Sequence, residues 1–141
     1  MGDTGLLVSH AFNEAGLDQN ELYKEILQGR LSINNGMLFD NVIAQTLVSK
    51  EYKLYFYTHY SEEKHRNDIE IDLLISNRSK TNFKLIPIKV KYGRTYMTTS
   101  LERFLVRYKD RIDRSYVIHP KNLQIKENEI ICIPAYMAFK L

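Results

Sequence analysis

Residues 69–92 constrain the fold of this chain more than any other stretch. They read Ile-Glu-Ile-Asp-Leu-Leu-Ile, then a polar run from Ser76 to Asn82, then Phe83 through Lys91-Tyr92. Two β-branched apolar flanks around a polar turn predict a β-hairpin. Side chains alternate faces along a strand, so Glu70, Asp72 and Leu74 are expected on one face and Ile71, Leu73 and Ile75 on the other. In the second strand Ile86, Ile88 and Val90 take the buried face, which leaves Pro87, Lys89 and Lys91 together. A turn centred near Lys80 sets Asp72 across from Lys89 and Glu70 across from Lys91. Two acids then face two lysines within a sheet. One explanation is a ladder of cross-strand ion pairs on a solvated face, each contributing about 0.2–1 kcal/mol. The other is a nuclease-type metal site or its remnant.

With 141 residues the chain is long enough for one domain with a proper core. No run approaches the length of a membrane span and no signal peptide opens the sequence, so a cytoplasmic protein is expected. Cys132, the single cysteine, lies in the apolar run 130–133 and reads as a packing residue. The net charge of +3 is unevenly spread: −4 over residues 1–83, +6 over 84–114 and +1 over 115–141. A basic cluster directly after the central turn could track a phosphate backbone, although a solvated basic face is the commoner outcome.

The remaining elements follow in order. Asp18 with Glu21 has the capping pattern of a short helix that Gly29 ends. Residues 37–49 form a stronger helix, with Leu38, Phe39, Val42, Ile43 and Leu47 on one face and Asp40 in the first turn, where the helix dipole favours an acid. Residues 54–59 are an aromatic strand. Thr99 with Glu102 forms a capping box for a helix over 100–109, with Leu101, Phe104, Leu105 and Tyr108 inward. Strands follow at 114–118 and 130–134, joined by a polar connection over 122–128. This order predicts an α/β domain, a mixed sheet flanked by helices. Residues 1–35 read as a helical lead-in and 36–141 as the domain itself.

No nucleotide-binding glycine loop occurs. The four histidines lack zinc-ligand spacing and read as exposed or strand-edge residues. What remains is Asp40 on a helix, Asp72 in mid-strand and Lys91 on the neighbouring strand. With Gly36-Met37-Leu38-Phe39-Asp40-Asn41-Val42-Ile43-Ala44, Glu70-Ile71-Asp72-Leu73-Leu74 and Pro87-Ile88-Lys89-Val90-Lys91-Tyr92-Gly93, the chain resembles a known family. Asp3-Thr4-Gly5-Leu6-Leu7, Ser100-Leu101 with Phe104, and Tyr116-Val117-Ile118 extend the match. That family is the C-terminal domain of unknown function of many bacterial and archaeal AAA-type ATPases, similar to the PD-(D/E)XK restriction-endonuclease fold. The resemblance implies a restriction-endonuclease-like fold and an ATPase domain preceding this segment in the full protein.

In the nuclease pattern a helix acid, a strand Asp and a Glu two residues before a Lys collect Mg²⁺, which activates water and stabilises the leaving oxygen. By resemblance Asp40, Asp72 and Lys91 match, but Lys89 stands where the Glu belongs. An ammonium about 5 Å from a divalent ion repels it by roughly 7 kcal/mol at an effective dielectric near 20. A disabled metal site is therefore expected, with no cofactor, unless Glu70 or Glu102 supplies the missing carboxylate and Mg²⁺ binds with Asp72. The leading expectation is a non-catalytic module that binds DNA through Lys84, Arg94, Arg103 and Arg107. The rivals are a Mg²⁺-dependent nuclease with a relocated Glu and a protein-interaction domain.

Overall fold

A computed structural model describes residues 35–77, 81–93, 95–126 and 128–141. The helix expected over 18–28, the lead-in 1–35 up to residue 34, and Arg94 lie outside them. The described elements are α1 (Asn35–Ser49), β1 (Tyr55–Ser61), β2 (Arg66–Ser76), β3 (Leu85–Val90), α2 (Thr99–Arg107), β4 (Ser115–His119), β5 (Gln124–Ile125) and β6 (Ile130–Pro134). Short 3₁₀ turns at Lys109–Arg111 and Ala135–Lys140 complete them. The strands form one mixed sheet in the order β1-β2-β3-β4-β6-β5. β1, β2 and β3 are antiparallel neighbours, β3, β4 and β6 run parallel, and β5 returns antiparallel against β6. The expected α/β architecture is observed.

Helices on both faces explain why the central strands are apolar without strict alternation. Every residue of β4 is buried. On one face Ile43 and Leu47 of α1 pack with Ile75, Ile88, Val90, Tyr116, Ile118, Ile133 and Ala138. On the other, Leu101 and Phe104 of α2 pack with Ile69, Ile71, Leu74, Val117, Ile130 and Cys132. Cys132 is the buried packing residue its neighbours predicted. Phe104 is closed over by the rings of Tyr57 and Tyr108, at centroid distances of 5.1 and 4.8 Å.

The hairpin has the expected register, with Leu73 opposite Ile88 and Ser76 opposite Leu85. Its simple alternation fails, however. Tyr55 pairs with Leu74 and Tyr57 with Ile71, so β2 carries one extra residue there. This β-bulge at Asp72-Leu73 puts Ile71 and Leu74 on the α2 side, while Leu73 and Ile75 face α1. A second extra residue falls at Asp68, between the pairs His59–Ile69 and Tyr60–Asn67.

Three smaller expectations also change. The chain is already helical at Asn35, so Asp40 lies beyond the first turn of α1 and the dipole argument does not reach it. No side chain caps α2; instead the Thr98 hydroxyl donates to the Glu102 carboxylate at 2.7 Å. The connection over 122–128 contains the two-residue strand β5.

Candidate functional site

The bulge decides what Asp72 can do. Where β2 swings away after the Leu73–Ile88 pair, the Val90 N–H has lost its ladder partner on that side. The Asp72 carboxylate takes it, with Oδ2 accepting the hydrogen bond at 2.8 Å. The other oxygen, Oδ1, accepts from Lys89 Nζ at 2.7 Å. The carboxylate thus lies between the two strands with both oxygens occupied.

Lys89 is 6% exposed, which corrects the expectation of a solvated face. An ammonium so deeply covered is retained only with a close anion, because desolvating it costs several kcal/mol. The partner side chain, Asp72, keeps about a quarter of its surface. The second expected rung is not made: among the described residues no ion pair joins Glu70 to Lys91. Glu70 lies exposed opposite Thr58, and its backbone N–H donates to Ser100 Oγ at 2.7 Å.

Asp40 enters the same constellation from α1. Asp40 keeps an exposed side, yet partial desolvation against the sheet raises its pKa from the ordinary value. The Asp72 charge pushes the same way, against the opposing pull of Lys91 and Lys89. The fold therefore brings Asp40, Asp72, Lys89 and Lys91 together electrostatically. Next to Asp40, Phe39 meets Tyr92 edge-on at 5.8 Å, tying α1 to the loop after β3. A raised carboxylate pKa means that the folded chain disfavours the ionised form. The stability contributed by protonated Asp40 is present below the unfolded pKa near 4 and is lost as pH rises through the folded value. Asp40→Asn is accordingly expected to raise the melting temperature slightly at neutral pH, the effect being small because the side chain is exposed. The gain should vanish below about pH 4, as paired thermal melts across that range would show.

These groups do not fit Mg²⁺. A metal at Asp72 would sit beside the Lys89 ammonium, which repels it, and among the described residues would find no second and third carboxylate to complete its ligand set. The proposed substitutes are poorly placed as well. Glu102 accepts from Thr98 Oγ1 and, at 3.1 Å, from Asn128 Nδ2 on the α2 side of the sheet. Among the described residues no three His, Cys, Asp or Glu side chains come close enough to hold a metal ion.

The basic residues fall apart into separate places. Lys84 precedes β3 and uses its backbone N–H on Asn77 Oδ1 at 3.0 Å. The β3–α2 loop lies at the other end of that six-residue strand, roughly 20 Å away. Arg103 donates to the Asp68 carbonyl at 3.1 Å, and Arg107 lies over the Tyr108 ring. Arg103 and Arg107, one turn apart on α2, are the pair that shares a surface.

One histidine departs from the exposed or strand-edge expectation, His119, whereas His59 does lie on the edge strand β1. His119 is fully buried: its Nδ1 accepts from the Tyr96 hydroxyl at 2.8 Å, and its Nε2 donates to the Asn122 carbonyl at 3.1 Å. Burial lowers its pKa and, with the Cys132 thiol alongside, raises that of Tyr96. His59 Nδ1 meets Asp68 Oδ1 at 2.7 Å, and that bond holds the Asp68 carboxyl below its usual range. His119 meets Tyr96 from 23 residues away, a contact that no spacing rule reveals, while His59 meets Asp68 across the neighbouring β1–β2 connection.

No helix among the described residues is long and apolar enough to cross a membrane. No curated protein matches the chain, and no solved structure does. A family model does match over residues 35–137, from the start of α1 into the last 3₁₀ turn, and the chain accordingly belongs to the family described as Domain of unknown function (DUF4143).

Proposed function

We propose that this chain is a non-catalytic module of PD-(D/E)XK type that binds nucleic acid, or regulates, on behalf of a AAA-type ATPase preceding it in the full protein. One observation carries the non-catalytic half of this reading. The Lys89 ammonium, bonded to Asp72 Oδ1, puts a positive charge where a catalytic metal would sit, while Oδ2 holds the Val90 N–H. A nuclease with a relocated Glu is the weaker reading, since Glu102 is engaged by Thr98 and Asn128.

Nucleic-acid binding draws its support from the basic excess over residues 84–114 and from Arg103 and Arg107 on one side of α2. Phosphate contacts release counterions, so affinity should fall with salt by about 0.9 log units per contact per log unit of salt. The test is fluorescence anisotropy of the chain with a DNA duplex across a salt series. The expected result is salt-weakened binding, with Arg103→Ala/Arg107→Ala reducing the slope by about 2. Affinity indifferent to salt would count against this reading and favour a protein partner for the α2 surface. Plasmid nicking in Mg²⁺ or Mn²⁺, abolished by Asp72→Ala, would restore the nuclease.

A further inference from the structure

The two edges of the sheet are unlike. At one edge β5 has two residues, too few to template another strand. At the other edge β1 runs for seven residues, Tyr-Phe-Tyr-Thr-His-Tyr-Ser, and among the described residues it pairs with β2 alone. Edge strands are normally guarded by lysine, proline or a bulge. β1 contains neither residue, and both irregularities in its pairing insert the extra residue on β2, which leaves β1 itself regular. Tyr57 and His59 point toward α2, where Tyr57 packs on Phe104 and His59 on Asp68. Phe56, Thr58 and Tyr60 share the opposite face; Phe56 is 77% and Tyr60 56% exposed.

We propose that β1 is a self-association edge, pairing antiparallel with β1 of a second copy about a two-fold axis at Thr58. Symmetry then fixes every neighbour. Phe56 of one copy lies opposite Tyr60 of the other, twice, as cross-strand aromatic pairs on the open face. Tyr57 lies opposite His59 on the covered face, and no formal charge meets a like charge along the strand. Beyond its ends the same axis sets Lys53 of each copy toward Glu63 of the other, both exposed and opposite in sign. The two edges thus complement each other in charge. A closed, isologous pair satisfies both edges at once and stops at two copies. One seven-residue strand pair buries less than a standard interface, so the dimer belongs to the weak, concentration-dependent class. The inference stands apart from the nucleic-acid reading and shares no residue with it.

Sedimentation of the chain from micromolar to millimolar concentration tests it. The mass should rise from 16.6 kDa toward twice that value. Phe56→Lys/Tyr60→Lys, which sets ammonium groups against each other across the axis at exposed positions, should hold the chain at one copy throughout. Thr58→Cys should give a disulfide-linked dimer under mild oxidation, because directly opposed positions bring Cβ atoms to about 4.5–5.5 Å. The buried Cys132 makes the wild type a clean control. A mass that never rises, that grows past two copies, or that the double substitution leaves unchanged overturns the proposal, as does failure of the cross-link.

Discussion

Asp72→Ala should be among the most damaging single changes in the described domain, costing about 3–5 kcal/mol. Its removal leaves the Lys89 ammonium buried without an anion and the Val90 N–H without an acceptor. For a domain of this size the loss corresponds to roughly 10–15 °C in melting temperature. The reciprocal change should be much milder. Lys89→Met takes away the buried cation and leaves a carboxylate that still holds Val90 and keeps about a quarter of its surface in solvent. About 1–2 kcal/mol is expected. Asp72→Asn should fall between them, since its amide oxygen can still accept from Val90 while the charge is gone. Denaturant melts of the three variants give the order directly. If Lys89→Met proves costlier than Asp72→Ala, the ion pair is not what holds this junction.

Lys89→Glu should have the second large effect, and one whose sign depends on the solution. Without metal it sets a second carboxylate beside Asp72 in a covered site, with Asp40 close by, and like charges there should cost several kcal/mol. Divalent ions should then recover much of the loss, because a ligand that binds only the folded chain stabilises it by mass action. The wild-type melt should not move under the same additions beyond a nonspecific salt effect. If Lys89→Glu gains nothing from Mn²⁺, charge at position 89 is not what excludes the metal.

Why some of this was legible in the sequence follows from which interactions are local. The turn over 76–82 and the β-branched flanks set the hairpin register, and that register alone placed Lys89 against Asp72. The helices were legible because Ile43 with Leu47, and Leu101 with Phe104, recur at helical spacing and do pack on the sheet. The bulge at Asp72-Leu73 was not legible. Strict alternation is the default for any strand, and only the pairing with β1 reveals the extra residue. Strict alternation therefore puts Leu74 on the wrong side; the burial of Lys89 has another cause, since the sheet is covered on both faces. The capping box at Thr99 failed for a related reason: Thr98 and Glu102, one residue out of that frame, bond each other instead. The burial of His119 is not legible because its partners, Tyr96 and Asn122, come from the loop before α2 and the one after β4.

The candidate site was legible in part. Asp72 and Lys89 do pair, and the charges of Asp72, Lys89 and Lys91 reach Asp40, although no sequence rule states that Asp72 also closes a gap in the backbone ladder. That second duty makes the carboxylate structural as well as electrostatic. The expected basic surface was less well read, since charge counted along the chain says nothing of Lys84 lying a strand length from the β3–α2 loop.

Calorimetric titration of the intact chain with Mn²⁺, alongside Asp72→Asn as the reference, tests the central claim most directly. If Lys89 holds the place of the metal, both proteins give the same featureless heats into the millimolar range. Saturable binding by the wild type that Asp72→Asn abolishes would contradict it.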